Sequence, residues 1–136
     1  MLSLDVGCGH QKRADIGIDY TKDSDADIVA DSGSLPFRDE VFGRIVSVAS
    51  IEHSPNPLNF LKEQARVLKK GGVVEVVTDN AQYYNWSVIS FRLRGTRHEN
   101  ECRDHYAIFF PENVMRLLAL AGLKTVGFQY INRTEH

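Results

Sequence analysis

Leu4-Asp5-Val6-Gly7-Cys8-Gly9, followed after only five residues by Asp15-Ile16-Gly17-Ile18-Asp19, is the stretch whose reading decides the fold. Leu2, Leu4 and Val6 form a short apolar run that stops at Gly7-Cys8-Gly9, so a strand should end in a glycine turn. Ile16 and Ile18 mark a second strand, and Asp27-Ile28-Val29-Ala30 a shorter third. Arg44-Ile45-Val46-Ser47-Val48 is nearly continuous in apolar and small residues, the pattern of a strand buried on both faces. Val73 to Val77 gives a fifth strand, and Lys124 to Ile131 a sixth.

Two helices separate the later strands. Asn56-Pro57 is an N-cap followed by proline at the first helical position. Leu58, Leu61, Ala65 and Leu68 then recur at helical spacing, with Lys69-Lys70 expected in the last turn before Gly71. The second helix should run from Pro111 to Ala121, with Leu117, Leu118 and Ala121 inward and Gly122 as its stop. Phe110 is a poor N-cap. Strands joined through crossovers imply a mostly parallel sheet. His10 to Ala14 is too short for the usual helical crossover of about a dozen residues. The first helix must therefore shrink to about one turn or become an extended loop.

The chain has 136 residues, 43% of them hydrophobic and 25% charged, which suits one globular domain over 1–136. A formal charge of -2 gives no general argument for nucleic-acid or anionic-membrane binding. Cys8 and Cys102 are too few for a disulfide framework, and no apolar run is long enough to span a membrane. A cytoplasmic location is the expectation.

In open α/β sheets, ligands bind beyond the carboxyl ends of the strands, where strand order reverses. Gly7 and Gly9 fall there, and glycine lets a ligand approach without meeting a Cβ atom. Asp19 could accept hydrogen bonds from both hydroxyls of a ribose, and Asp31, beside Ser32 and Gly33, from an adenine amino group. A dinucleotide site competes for the same features. Against it, Lys12 occupies the third-glycine position of that fingerprint, and no full helix is available to hold a pyrophosphate.

Further segments align with these. Ala30-Asp31 is followed by Leu35-Pro36-Phe37, and Ile51-Glu52-His53 by Phe60-Leu61, Glu63 and Arg66-Val67-Leu68-Lys69-Lys70-Gly71-Gly72. Asp104-His105-Tyr106, Phe109-Phe110-Pro111-Glu112 and Ala121-Gly122-Leu123 complete the series. Together with the glycine loop and Gly17-Ile18-Asp19, this set resembles class I S-adenosylmethionine-dependent methyltransferases of the type 11-like group with a short first crossover. The resemblance implies a Rossmann-like, doubly wound sheet of about six strands with helices on both faces and a reduced first helix. It implies S-adenosylmethionine as cofactor: Asp5, Gly7 and Gly9 at its methionine end, Asp19 at the ribose, Asp31 and Ser32 at the adenine, and Ser50 flanking the site.

Departures from the family also matter. Met1 stands at the very start of the first strand, Ala49 replaces a frequent histidine, and Gly43 replaces a common acidic residue. They lead us to expect a partly open site, closed by a second copy or a partner subunit. Methyl transfer is an in-line displacement, so the protein mainly orients the reactants, and a base is needed only for a protonated acceptor. Glu52, His53 and His105 are candidates for that role, with helix-entry capping as the alternative for the first two. Asp79 is a weaker candidate that can equally form a turn.

Residues 81–106 read as an acceptor-binding or interface insertion, carrying Tyr83, Tyr84, Trp86, Arg92, Arg94 and Arg97 among others. His98, Cys102 and His105 match no standard zinc spacing, so no metal is expected. The function expected is methyl transfer to a small-molecule or biopolymer-end acceptor. The alternative is a non-catalytic regulatory or scaffolding subunit on the same fold.

Overall fold

The computed structural model describes residues 1–78 and 109–129. Five strands form one parallel sheet: β1 (Ser3–Val6), β2 (Ile16–Asp19), β3 (Ile28–Val29), β4 (Phe42–Val48) and β5 (Leu68–Val77). Their order is β3-β2-β1-β4-β5. The chain steps outward from β1 through β2 to β3, then returns to place β4 on the other side of β1. That reversal opens a crevice at the carboxyl ends of β1 and β4.

Strand register sorts the side chains by face, because directly paired residues in parallel strands point the same way. Leu4 pairs with Ile16 and Ile45, and Val6 with Ile18. These residues share one core with Phe60, Leu61 and Val67 of α1 (Pro57–Val67) and with Leu117, Leu118 and Ala121 of α2 (Pro111–Leu120). Both described helices therefore lie on one face of the sheet. The opposite face carries Ser3, Asp5, Gly17, Arg44, Val46 and Glu75 instead, with an Arg44–Glu75 ion pair at 3.5 Å.

The crossover from β1 to β2 lies on that second face as a loop without helix. Three carboxylates hold it. Asp5 accepts from the Arg13 N–H at 2.8 Å, and Asp15 accepts from the N–H and hydroxyl of Ser3. Asp27 accepts from the Gly17 N–H at 2.8 Å and pairs with Lys12 at 3.1 Å. The bond to Gly17, and then Lys12, lower the Asp27 pKa. Gly17 leaves the loop room to lie flat: a Cβ there would come within 2.9 Å of Cys8 Sγ and 3.0 Å of Lys12 Cγ.

Elsewhere the structure departs from the sequence-based expectation in detail. The Asn56 side chain caps α1 as expected, accepting from the Asn59 N–H at 3.0 Å. The buried positions, however, are Phe60, Leu61, Gln64 and Val67, a face rotated from Leu58, Leu61, Ala65 and Leu68. Lys69 and Lys70 belong to β5, not to a last helical turn, because Leu68 is already extended and paired with Phe42. The ladder is irregular between Phe42 and Arg44, and Gly71 there takes a φ of +80°. At α2, the Phe110 N–H is accepted by the Asn113 side chain, which supplies the missing cap, and Gly122 at φ +89° follows the helix. Residues 124–129 form no strand among the described residues. Val126 there is 90% exposed among the described residues. Tyr130 and Ile131 lie outside the described residues.

Arg66 fastens the segment after β3 to α1. Its guanidinium donates to the carbonyls of Leu35 and Phe37, to Asp39 and to Glu63, while Glu63 accepts from the Leu35 N–H. The Arg66 bonds hold the Glu63 carboxyl below its ordinary value of 4.5. A depressed folded pKa contributes stability above the unfolded value, and the contribution is lost as pH falls through the folded one. Arg66→Met should cost about 2 kcal/mol at pH 7. In urea unfolding, the gap between parent and variant should narrow at acid pH as Glu63 protonates. An undiminished gap at low pH would show that the Arg66–Glu63 pair contributes nothing.

Candidate cofactor site

A cleft of about 1070 Å³ lies at the crevice, lined by the loops that follow β1, β2, β3 and β4. Gly7 starts it. Its N–H and that of Cys8 both donate to the Ile18 carbonyl, at 2.9 and 3.0 Å, bending the chain sharply beneath β2's end. The turn requires a φ of +78° at Gly7, and a Cβ there would strike the Ser50 side chain. Ser50 in turn donates to the Gly7 carbonyl at 3.2 Å, joining the loops after β1 and β4. Gly9 also has positive φ, but a Cβ there would meet nothing. The space above it belongs to the cleft.

Asp19, 8% exposed, is the hinge pin of the site. One carboxylate oxygen accepts from the Gly9 N–H at 3.0 Å, the other from the Thr21 N–H at 3.2 Å. The glycine loop and the end of β2 are thus locked together, with the Asp19 carboxylate on the wall between them. Asp31 accepts from the Gly33 N–H at 2.8 Å, and the Gly33 carbonyl accepts from the Asn59 side chain of α1 at 2.7 Å. Asp31 and Ser32 both face the cleft.

Of the residues expected at the site, Gly7, Gly9, Asp19, Asp31, Ser32, Ser50 and His53 come together on its wall. Asp5 does not. It is fully buried beneath the loop, where burial raises its pKa and Arg13's N–H lowers it. Glu52 is likewise buried off the wall, in the 3-10 turn Ile51–His53, and accepts from the Thr78 hydroxyl at 2.8 Å. His105, Asp79 and the segment 81–106 lie outside the described residues. Cys8 is buried in the loop, and burial together with Asp5 and Asp19 pushes its thiol to about 11, so it stays protonated at neutral pH. Among the described residues, no three His, Cys, Asp or Glu side chains gather as a metal site.

The wall also contains His10, Gln11, Arg13 and Tyr20, which the sequence reading did not single out. The short crossover was their signal. With no helix after Gly9, the residues that a helix would carry away stay at the cleft. Among the described residues the glycine loop therefore runs into no helix N-terminus of the kind that holds a diphosphate in dinucleotide sites. What remains is a concave surface with two carboxylate acceptors on the β2–β3 side and bare glycine backbone in the middle.

Comparison with known proteins agrees with this geometry. Residues 4–76, more than half of the chain, match the model of a family described as a methyltransferase domain. The chain is 49% identical over 43 residues to 2-methyl-6-phytyl-1,4-hydroquinone methyltransferase 2, chloroplastic, of Oryza sativa subsp. japonica, covering 32% of this chain and 12% of that protein. An S-adenosylmethionine-dependent methyltransferase of Thermotoga maritima superimposes with a TM-score of 0.72 at 22% identity, covering 89% of this chain and 63% of that one. A Haloferax volcanii methyltransferase, solved in complex with the Trm112 methyltransferase activator, gives 0.68 at 19% identity, covering 90% and 61%. The chain thus spans a small part of the rice relative and under two thirds of the solved chains.

Proposed function

Because the chain belongs to the methyltransferase domain family, whose cofactor is S-adenosylmethionine, we propose that it transfers that methyl group to a small-molecule or biopolymer-end acceptor. The observation that carries this reading is the Asp19–Gly9 link, which fixes a carboxylate beside an open glycine backbone at the strand-order reversal. When bound, S-adenosylmethionine supplies a methyl group on a sulfonium that leaves without a proton. The chain's task is to hold and orient. Asp19 takes the ribose hydroxyls, Asp31 and Ser32 the adenine, and the Gly7–Gly9 backbone the methionine end, with Ser50 beside it. Asp5 works from beneath by anchoring Arg13's N–H.

For an acceptor that arrives protonated, His53 is the base candidate on the wall, and His105 remains one on sequence grounds. Glu52 tethers the turn that carries His53 to Thr78 at the end of β5. S-adenosylhomocysteine should raise the melting midpoint in a concentration-dependent way, and NAD should not. Stabilisation by NAD alone would overturn the cofactor assignment.

We infer that a second copy or a partner subunit covers the cleft, in keeping with the Haloferax complex, in which one structural neighbour associates with an activator. Sedimentation should reveal such an assembly. A monomer with full cofactor affinity and activity would remove the idea. No helix among the described residues is long and apolar enough to cross a membrane. We infer a cytoplasmic location from the two cysteines of the sequence, too few for a disulfide framework.

A further inference from the structure

Arg13 is the one lysine or arginine on the cleft wall among the described residues. Its backbone is rooted by the bond from its N–H to Asp5. Its guanidinium is bracketed by one residue: Nη1 donates to the Gln11 carbonyl at 3.1 Å and Nη2 to Gln11 Oε1 at 2.7 Å. That leaves the Nε–H and one hydrogen on each Nη for another acceptor. No ion pair involves Arg13 among the described residues, and the nearby carboxylate of Asp5 is buried and already bonded to Arg13's own N–H. Gln11 and Arg13 are both exposed, so neither contributes to the core.

The wall is therefore divided by charge. Asp19 and Asp31 stand at the ends of β2 and β3, and Arg13 stands on the crossover loop across the glycine turn. A ligand whose nucleoside is held by the two carboxylates extends over Gly7–Gly9, and a carboxylate on its far part would need a cation there. We propose that Arg13, oriented by Gln11, takes the carboxylate of the cofactor's methionyl group. It thereby makes the amino-acid part, not the nucleoside alone, a condition of tight binding. The proposal rests on the cofactor reading above and adds to it a residue that selects among adenosine-containing ligands.

The test is calorimetric titration of S-adenosylhomocysteine and of 5′-methylthioadenosine, which lacks the amino-acid end, into the parent, Arg13→Met and Arg13→Lys. Arg13→Met should weaken S-adenosylhomocysteine about 10- to 100-fold and leave methylthioadenosine within about twofold of the parent. Arg13→Lys should fall between, since an ammonium keeps the charge but not the fork. An unchanged melting curve would confirm that both variants fold. Unchanged S-adenosylhomocysteine affinity in Arg13→Met would overturn the proposal and leave the guanidinium to an acidic acceptor. An equal loss for both ligands would also overturn it, by showing that Arg13 merely shapes the loop. A parent that binds neither ligand would be a separate result, removing the cofactor reading itself.

Discussion

Gly7→Ala should lose measurable S-adenosylmethionine binding and about 2–4 kcal/mol of stability. Two costs combine. An alanine at φ +78° pays for a left-handed backbone, and its Cβ meets Ser50 Oγ and, at 2.9 Å, Ser50 Cβ. Ser50 has little freedom to retreat, because its hydroxyl is held by the carbonyls of Gly7 and Val48. The loops after β1 and β4 must then separate, and these are the loops that form the middle of the cleft. Gly9→Ala is the informative partner. Its φ is also positive, but a Cβ would enter open space. That variant should lose only about 1 kcal/mol while still binding poorly, because the added methyl occupies ligand space. Urea unfolding and calorimetry on both variants separate the effects. Parental stability and affinity in Gly7→Ala would contradict the geometry.

The second large effect is expected at Asp19. Its carboxylate is nearly buried and serves two backbone donors, those of Gly9 and Thr21. Asp19→Ala removes the proposed ribose acceptor and also frees the glycine loop, so affinity should fall at least about 100-fold. Asp19→Asn keeps one acceptor oxygen and should retain part of the loop's order with weaker binding than the parent. Equal affinities for parent, Asn and Ala forms would show that the ribose lies elsewhere.

Much of this was legible because it was local. Glycines ending an apolar run, an aspartate closing the next strand, and five residues between them announced both the reversal and the missing helix. The face of α1 was harder to read. Gln64 is fully buried there with no hydrogen-bond partner among the described residues, and this polar interruption made Leu58 and Ala65 look like the inward stripe. The end of α1 depends on Leu68 pairing with Phe42, a contact 26 residues distant that no local pattern encodes. Side-chain direction was equally hidden: Glu52 and His53 are adjacent, yet one is buried against Thr78 and the other lines the cleft. Asp5 was read as a wall residue, whereas its place in the register turns it under the crossover loop. The single face carrying both helices follows from long-range packing, which the order of elements leaves open.

The central claim is a S-adenosylmethionine site built on the glycine loop and Asp19. Calorimetric titration of S-adenosylhomocysteine into the parent and Asp19→Ala tests it most directly. Saturable one-site binding by the parent, lost in a variant that still unfolds cooperatively, is the predicted result. A folded parent that takes up no ligand, or a variant that binds as tightly as the parent, would contradict it.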